Sequence, residues 1–312
     1  MTSVSVPGKV MLSGEYAVLY GGRSALMPLP RYLNVHETDK PPKKGYSPVV
    51  AESLDVTIPE LEAFEKKNKK PHIRIDSSQF YETDVMGNSV KMGLGSSAAE
   101  AVGTVMLRFK RARMLLSKKP MEIYTYAMKS HFAAQNGKGS GADVACCAYN
   151  RPIIYQITDD DYTIEAIDLD YSDINTKLAL VWTGIPSNTR NLVASFNRWV
   201  KKDKSTAPRF IEKLIDASNK LSNAWFYQDQ NRIFEFIDEF AAAMRGCAKK
   251  AKIDYELPVH AELIDWAKKN GGRAKPTGAG AGDMVLLVGD LPLDEIMQSV
   301  IPLAGYPLNF HS

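Results

Sequence analysis

Cysteine is scarce in this chain: three among 312 residues, at positions 146, 147 and 247. Three thiols cannot all pair, and the adjacent Cys146 and Cys147 make a poor disulfide. A cystine framework is therefore excluded, and reduced thiols in a cytoplasmic setting are expected. Long apolar runs are also missing. No stretch approaches the roughly 18–20 residues that span a bilayer, and Met1–Val10 lacks the charged start and apolar core of a secretory signal. Net charge is small, +3 from 39 Lys and Arg against 36 Asp and Glu, and does not by itself draw nucleic acid. The basic runs Lys40–Lys44, Lys66–Lys70 and Lys201–Lys204 contain no interleaved aromatics and read as solvated loops or helix ends. Neither a nucleic-acid nor a membrane partner is expected. Internal repeats and low-complexity segments are absent too.

What is present is glycine in ordered clusters. Gly93-Leu94-Gly95-Ser96-Ser97-Ala98 precedes a long Ala-, Leu- and Met-rich run. Glycines let backbone approach an anion, and the free N–H groups of a first helical turn point at it. Ser96 or Ser97 can cap that helix, and a hydroxyl there can reach a phosphate-bound magnesium. The loop has neither the Gly-Lys-Thr ending of a Walker loop nor the spacing of a dinucleotide fingerprint. A second cluster runs from Gln135 to Ala145 and includes Ser140 and Asp143; a third is Lys275-Pro276-Thr277-Gly278-Ala279-Gly280-Ala281-Gly282-Asp283. Near the N-terminus, Pro7-Gly8-Lys9 leads into Ser13-Gly14-Glu15-Tyr16. Read alone, each has a plain alternative: a tight turn, a snorkelling Lys9, an Asp143 at a helix start.

Hydrophobic patterning gives a mixed α+β reading. Strands are expected at 3–10, 18–20, 24–27, 31–37, 72–76, 152–157, 178–183, 284–288 and 307–310. Helices are expected at 58–68, 98–116, 120–135, 141–149, 191–201, 208–223, 228–251 and 258–269, with a short one from Leu293. Residues 39–48 read as a loop. The stripe Ile233, Phe236, Ile237, Phe240, Met244 reads as core rather than a ligand box.

The three glycine motifs in this order, with their flanks, resemble the GHMP kinase superfamily, and the 135–145 segment is most similar to phosphomevalonate kinases. The resemblance implies a two-domain α+β fold, 1–170 binding nucleotide and 171–312 helix-rich with the third motif, and a cleft between them. It implies ATP and Mg2+ as cofactors, with Gly93, Leu94, Gly95, Ser96, Ser97 and Ala98 on the ATP phosphates and the Ser97 hydroxyl on the metal. Lys9 and Asp143 become the catalytic pair. Ser13, Glu15, Tyr16, Ser140, Ser187, Asn188, Thr189, Arg190, Gly278, Ala279, Gly280 and Ala281 become substrate contacts. Arg190 and His131 also read as a surface arginine and a packed histidine. Mevalonate kinases usually carry a glutamate metal ligand about a dozen residues before the aspartate; 129–135 holds no carboxylate here, which favours the phosphomevalonate branch. The implied reaction is ATP-dependent phosphorylation of phosphomevalonate in isoprenoid precursor synthesis. A kinase with an alcohol acceptor, mevalonate first, and a non-catalytic metabolite binder are the alternatives; retained Lys9, Ser97 and Asp143 argue against the last. A homodimer is left open.

Overall fold

The computed structural model describes residues 1–83, 86–137, 139–158, 161–167, 177–296 and 300–302. The chain divides into two compact units, each assembled from three segments: 1–9, 28–81 and 94–153 in one, 10–27, 82–93 and 154 onward in the other. The boundary expected near residue 170 and the strand expected at 307–310 lie outside the described residues.

Strands β1 (Ser3–Ser13), β2 (Ser24–Thr38) and β3 (His72–Asp76) come first, followed by a two-stranded pair, β4 (Tyr81–Thr83) and β5 (Ser89–Lys91). With β6 (Ile153–Ile157) and β7 (Tyr162–Ala166) they build a five-stranded sheet of order β1-β2-β6-β7, and β3 pairs with β2, Val35 opposite Ile75. The first unit adds helices α1 (Pro48–Asp55), α2 (Glu62–Asn68), α3 (Ser96–Arg111), α4 (Pro120–Ala134) and α5 (Ala142–Tyr149). α3 carries the first glycine motif and presses closely on the strands. A Cβ at Gly103 would stand 2.6 Å from Val35 Cγ2 and 3.1 Å from Val6 Cγ2. Its other end is fixed by Arg108, which is buried and held by four hydrogen bonds. The guanidinium meets both oxygens of Glu65 at 2.7 and 2.8 Å and donates to the carbonyls of Ser53 and Val56. A buried guanidinium is tolerable only when its donors are met in this way.

In the second unit, β8 (Leu178–Trp182), β9 (Arg273–Pro276), β10 (Met284–Val288) and β11 (Val300–Pro302) form an antiparallel sheet of order β11-β8-β10-β9. Every residue of β8 and β10 is buried, as their unbroken apolar sequences require. Helices α6 (Thr189–Lys202), α7 (Ala207–Phe226), α8 (Gln230–Ala251) and α9 (Pro258–Lys269) follow β8. α9 covers one sheet face through Leu263 and Ala267 against Val181, Val285 and Leu287. Of the stripe on α8, Ile233, Ile237, Phe240 and Met244 are buried core and Phe236 is half-buried.

Four local readings are corrected. Residues 17–20 form a 3-10 turn rather than a strand, because Tyr16 and Gly21 flank it with positive φ. The segments 24–27 and 31–37 are one strand that continues through Pro28 and Pro30. The 98–116 helix stops at Arg111, and Arg113 turns the chain with φ 59°. Finally, Pro48 opens α1, with the Ser47 hydroxyl accepting from the Val50 amide, where only a preceding loop was expected.

Candidate active site

Lys9 stands near the middle of β1, buried, with its amide donating to the Leu94 carbonyl at 3.0 Å. The strand is thereby stitched to the first glycine motif. Gly95 then admits the lysine stem. It takes a left-handed conformation, and a Cβ there would lie 2.8 Å from Lys9 Cε. Gly95 also occupies the cap position of α3, so no side chain caps the helix and Ser96 and Ser97 fall in its first turn. The expected serine cap is therefore replaced by glycine. That leaves first-turn amides uncapped by any side chain, which is the arrangement an anion can use.

Asp143 comes from the second glycine motif. Gly141 caps α5 in the left-handed region, and Ser140 receives the Ala142 amide at 3.3 Å, which fixes the entry turn. Asp143 in the first turn of α5 reaches Lys9, Oδ2 to Nζ 3.3 Å, with side-chain exposures of 39% and 9%. Burial lowers the Lys9 pKa, but the adjacent carboxylate overrides this and the net direction is up. Lys9 is thus held as a cation at neutral pH despite being buried. Cys146 and Cys147 lie in the same helix, fully buried, and burial pushes both thiols up, so neither is a thiolate. Cys147 donates to the Pro7 carbonyl.

Behind Ser97 lies a contact that sequence reasoning treated as packing. The Ser97 hydroxyl is 3.1 Å from His131 Nε2, and the Gln135 amide nitrogen is 2.8 Å from that same Nε2. An amide nitrogen only donates, so Nε2 accepts and the imidazole is the neutral, Nδ1-protonated form. Burial pushes the His131 pKa down, with Asp143 opposing.

In the second unit the third glycine motif is shaped by close neighbours. A Cβ at Gly280 would meet the Tyr255 ring at 2.4 Å, and one at Gly282 would meet the Ile185 carbonyl at 2.3 Å. Ala281 donates to the Tyr255 carbonyl, Ser187 Oγ donates to the Gly280 carbonyl at 2.6 Å, and Tyr16 Oη donates to the Ala279 carbonyl at 2.9 Å. Gly278 faces open space. Asp283 accepts the Ser187 amide and also abuts Gly93, whose absent Cβ would fall 2.5 Å from Asp283 Oδ2. The third motif therefore fixes the entry to the first.

Beneath this loop Lys275 donates to Glu15 Oε1 and to the Pro276 carbonyl, with both side chains essentially unexposed. Lys275 Nζ also lies over the Phe240 ring at 5.7 Å. Burial works against both charges, pushing Glu15 up and Lys275 down, and each partner opposes the other's shift. Glu15 is hence a buried brace, not a group presented to a ligand. Ser13 is likewise buried, sharing a hydrogen bond with Ser222 and accepting the Ala25 amide. Tyr16 is buried and stacks on Phe196 at 4.4 Å. Asn188 caps α6 by accepting the Asn191 amide, while Thr189 and Arg190 are exposed in its first turn. Of the expected substrate contacts, Ser140, Ser187 and Gly278–Ala281 lie in loops, Glu15 and Tyr16 brace the third motif, and Ser13 is bonded to Ser222 and Ala25. Lys275 escaped sequence reasoning because nothing in its polar character signals full burial. Its one sequence cue is its position immediately before the loop.

A magnesium ion fits this donor set. Among the described residues no group of three His, Cys, Asp or Glu side chains could cage a metal, but magnesium in phosphate sites takes few protein ligands and several phosphate oxygens. A Ser97 hydroxyl that donates to Nε2 keeps its lone pairs for a cation.

Residues 61–151 match the family described as GHMP kinases N terminal domain. The fold is shared with solved phosphomevalonate kinase, mevalonate kinase and galactokinase structures. The chain is similar to phosphomevalonate kinases over most of its length. The phosphomevalonate kinase of Streptomyces sp. (strain CL190) is 25% identical over 332 residues, covering 89% of this chain and 87% of the relative. That of Saccharolobus solfataricus is 24% identical over 310 residues, covering 93% and 91%. The structure of Streptococcus pneumoniae phosphomevalonate kinase in complex with phosphomevalonate and AMPPNP superposes with a TM-score of 0.73 at 17% identity, covering 93% of this chain and 92% of that one. No helix among the described residues is long and apolar enough to cross a membrane.

Proposed function

We propose that this protein is an ATP-dependent kinase that transfers the γ-phosphoryl group to phosphomevalonate, giving mevalonate diphosphate in the cytoplasm. The observation that carries the proposal is a buried, charge-paired lysine beside the uncapped N-terminus of α3. Phosphoryl transfer needs two anions held in line and their charge neutralised, and little covalent help. The first-turn amides from Ser96 to Ala98, with Gly93–Gly95 leading in, receive the triphosphate. Lys9 neutralises the transferring group and the acceptor. A phosphate monoester has its second pKa near about 6, so its attacking oxygen is already anionic at neutral pH. No general base is then required, and Asp143 acts by holding Lys9 charged and aimed. The Ser97 hydroxyl would help hold magnesium, which would supply further charge neutralisation on the nucleotide. On the second unit, the open Gly278 turn and exposed Thr189 and Arg190 at the start of α6 are the contacts proposed for the anionic acceptor, with Ser187 holding the third motif in shape; Ser140 is proposed as a further acceptor contact. In this reading 1–170 carries the nucleotide and 171–312 contributes the third motif.

Coupled ADP-release assays with phosphomevalonate, mevalonate, mevalonate diphosphate, galactose and homoserine in parallel test the proposal. Turnover with phosphomevalonate alone is expected. Strong turnover with mevalonate and none with phosphomevalonate would overturn it.

A further inference from the structure

We infer that His131 and Gln135 form a positioning relay that sets the Ser97 hydroxyl for the metal–nucleotide complex. The inference rests on the phosphoryl-transfer reading above. His131 and Gln135 lie one turn apart at the C-terminal end of α4, on one face. Both meet at a single atom, His131 Nε2, which receives the Gln135 amide at 2.8 Å and the Ser97 hydroxyl at 3.1 Å. With the amide nitrogen committed to Nε2, the Gln135 amide oxygen faces Gly139, 3.6 Å from where a Cβ would stand. Gly139 belongs to the loop that leads into α5 and Asp143. Hydrogen bonds therefore link the first turn of α3 to the end of α4, and the Gln135 side chain lies beside the loop that leads to Asp143.

The chemistry follows from the direction of the bonds. Two donors at Nε2 require that nitrogen to be proton-free, so the Ser97 proton points at the imidazole. The Ser97 oxygen then turns its lone pairs away from His131, as an oxygen ligand of a hard cation must. Without the imidazole the hydroxyl rotates freely or donates to a phosphate oxygen, and its lone pairs are no longer preset. His131 touches neither nucleotide nor acceptor; it acts through Ser97.

The test is calorimetric binding of AMPPNP with and without MgCl2 to wild type, His131→Phe, His131→Gln, Ser97→Ala and the His131→Phe/Ser97→Ala double variant, each checked by thermal melting. Supporting partners of metal sites typically contribute about 10–100-fold in metal affinity. The magnesium-dependent gain in AMPPNP affinity should fall by at least about tenfold in His131→Phe, while magnesium-free affinity stays within about twofold. His131→Gln, whose side-chain carbonyl can accept in place of Nε2, should recover part of the gain. The double variant should lose no more than Ser97→Ala. Equal loss with and without magnesium, additive losses, or an unchanged His131→Phe would each overturn the relay. Failure of wild type to bind AMPPNP under any condition would instead overturn the kinase reading itself.

Discussion

Replacing Asp143 by asparagine keeps the side chain's size and removes only its charge. The structure sets a ceiling on the result. Two unit charges 3.3 Å apart interact by about 2.5 kcal/mol at an effective dielectric of about 40, a value chosen high because Asp143 is slightly more than a third exposed. If Asp143 works only through Lys9, its loss cannot slow turnover by more than roughly 70-fold, and about tenfold is expected because Lys9 retains the Leu94 tether. Removing Lys9 is different in kind. A cation lost from a site of developing charge costs about 10²–10³ in kcat. Steady-state kinetics with ATP and phosphomevalonate should therefore rank Lys9→Ala well below Asp143→Asn. The pH profile adds a second readout. Burial lowers the Lys9 pKa and Asp143 raises it with a net upward result, so Asp143→Asn should move the alkaline limb of kcat/KM to lower pH. Equal or reversed losses, or an alkaline limb that stays in place, would refute the assignment of Asp143 as an orienting group.

Three further outcomes are expected. Glu15→Gln leaves the Lys275 ammonium buried without a counter-charge and should cost about 3–5 kcal/mol in urea denaturation, with a smaller loss for the paired Glu15→Gln/Lys275→Met variant. Gly93→Ala forces a Cβ into Asp283 at a positive φ and should destabilise by at least about 1–2 kcal/mol while raising KM for ATP; an unchanged melting curve would show that the third motif does not fix the first. The Glu37 carboxyl has its pKa lowered: burial would raise it, but the Thr2 amide and Arg111 outweigh that. Its stabilisation is thus present above the unfolded value near 4.5 and lost as pH falls below it, so Glu37→Gln should flatten the acid limb of stability against pH.

Much of this architecture was legible from local signals. The unbroken apolar runs of β8 and β10, the proline starts of α4 and α9 and the stripe on α8 announce themselves through periodicity and helix-start chemistry. The glycine motifs were legible because close backbone approach has few sequence solutions. What was not legible depends on contacts distant in sequence. Glu15 reads equally as a brace or a ligand contact in a substrate-facing motif, and the buried ammonium of Lys275, 260 positions away, decides for the brace. Ser13 looks like a donor until Ser222 consumes it. His131 looks like packing until Ser97 and Gln135 converge on one nitrogen. The 17–20 turn was misread because a left-handed Tyr16 is invisible to hydropathy.

The central claim is that the acceptor is a phosphate rather than an alcohol. Phosphorus-31 NMR of the product formed from ATP and phosphomevalonate tests it most directly, because a new P–O–P bond gives two mutually coupled resonances besides those of ADP. That coupled pair is expected, with no product from mevalonate under the same conditions. A single monoester resonance growing from mevalonate, and no diphosphate from phosphomevalonate, would contradict it.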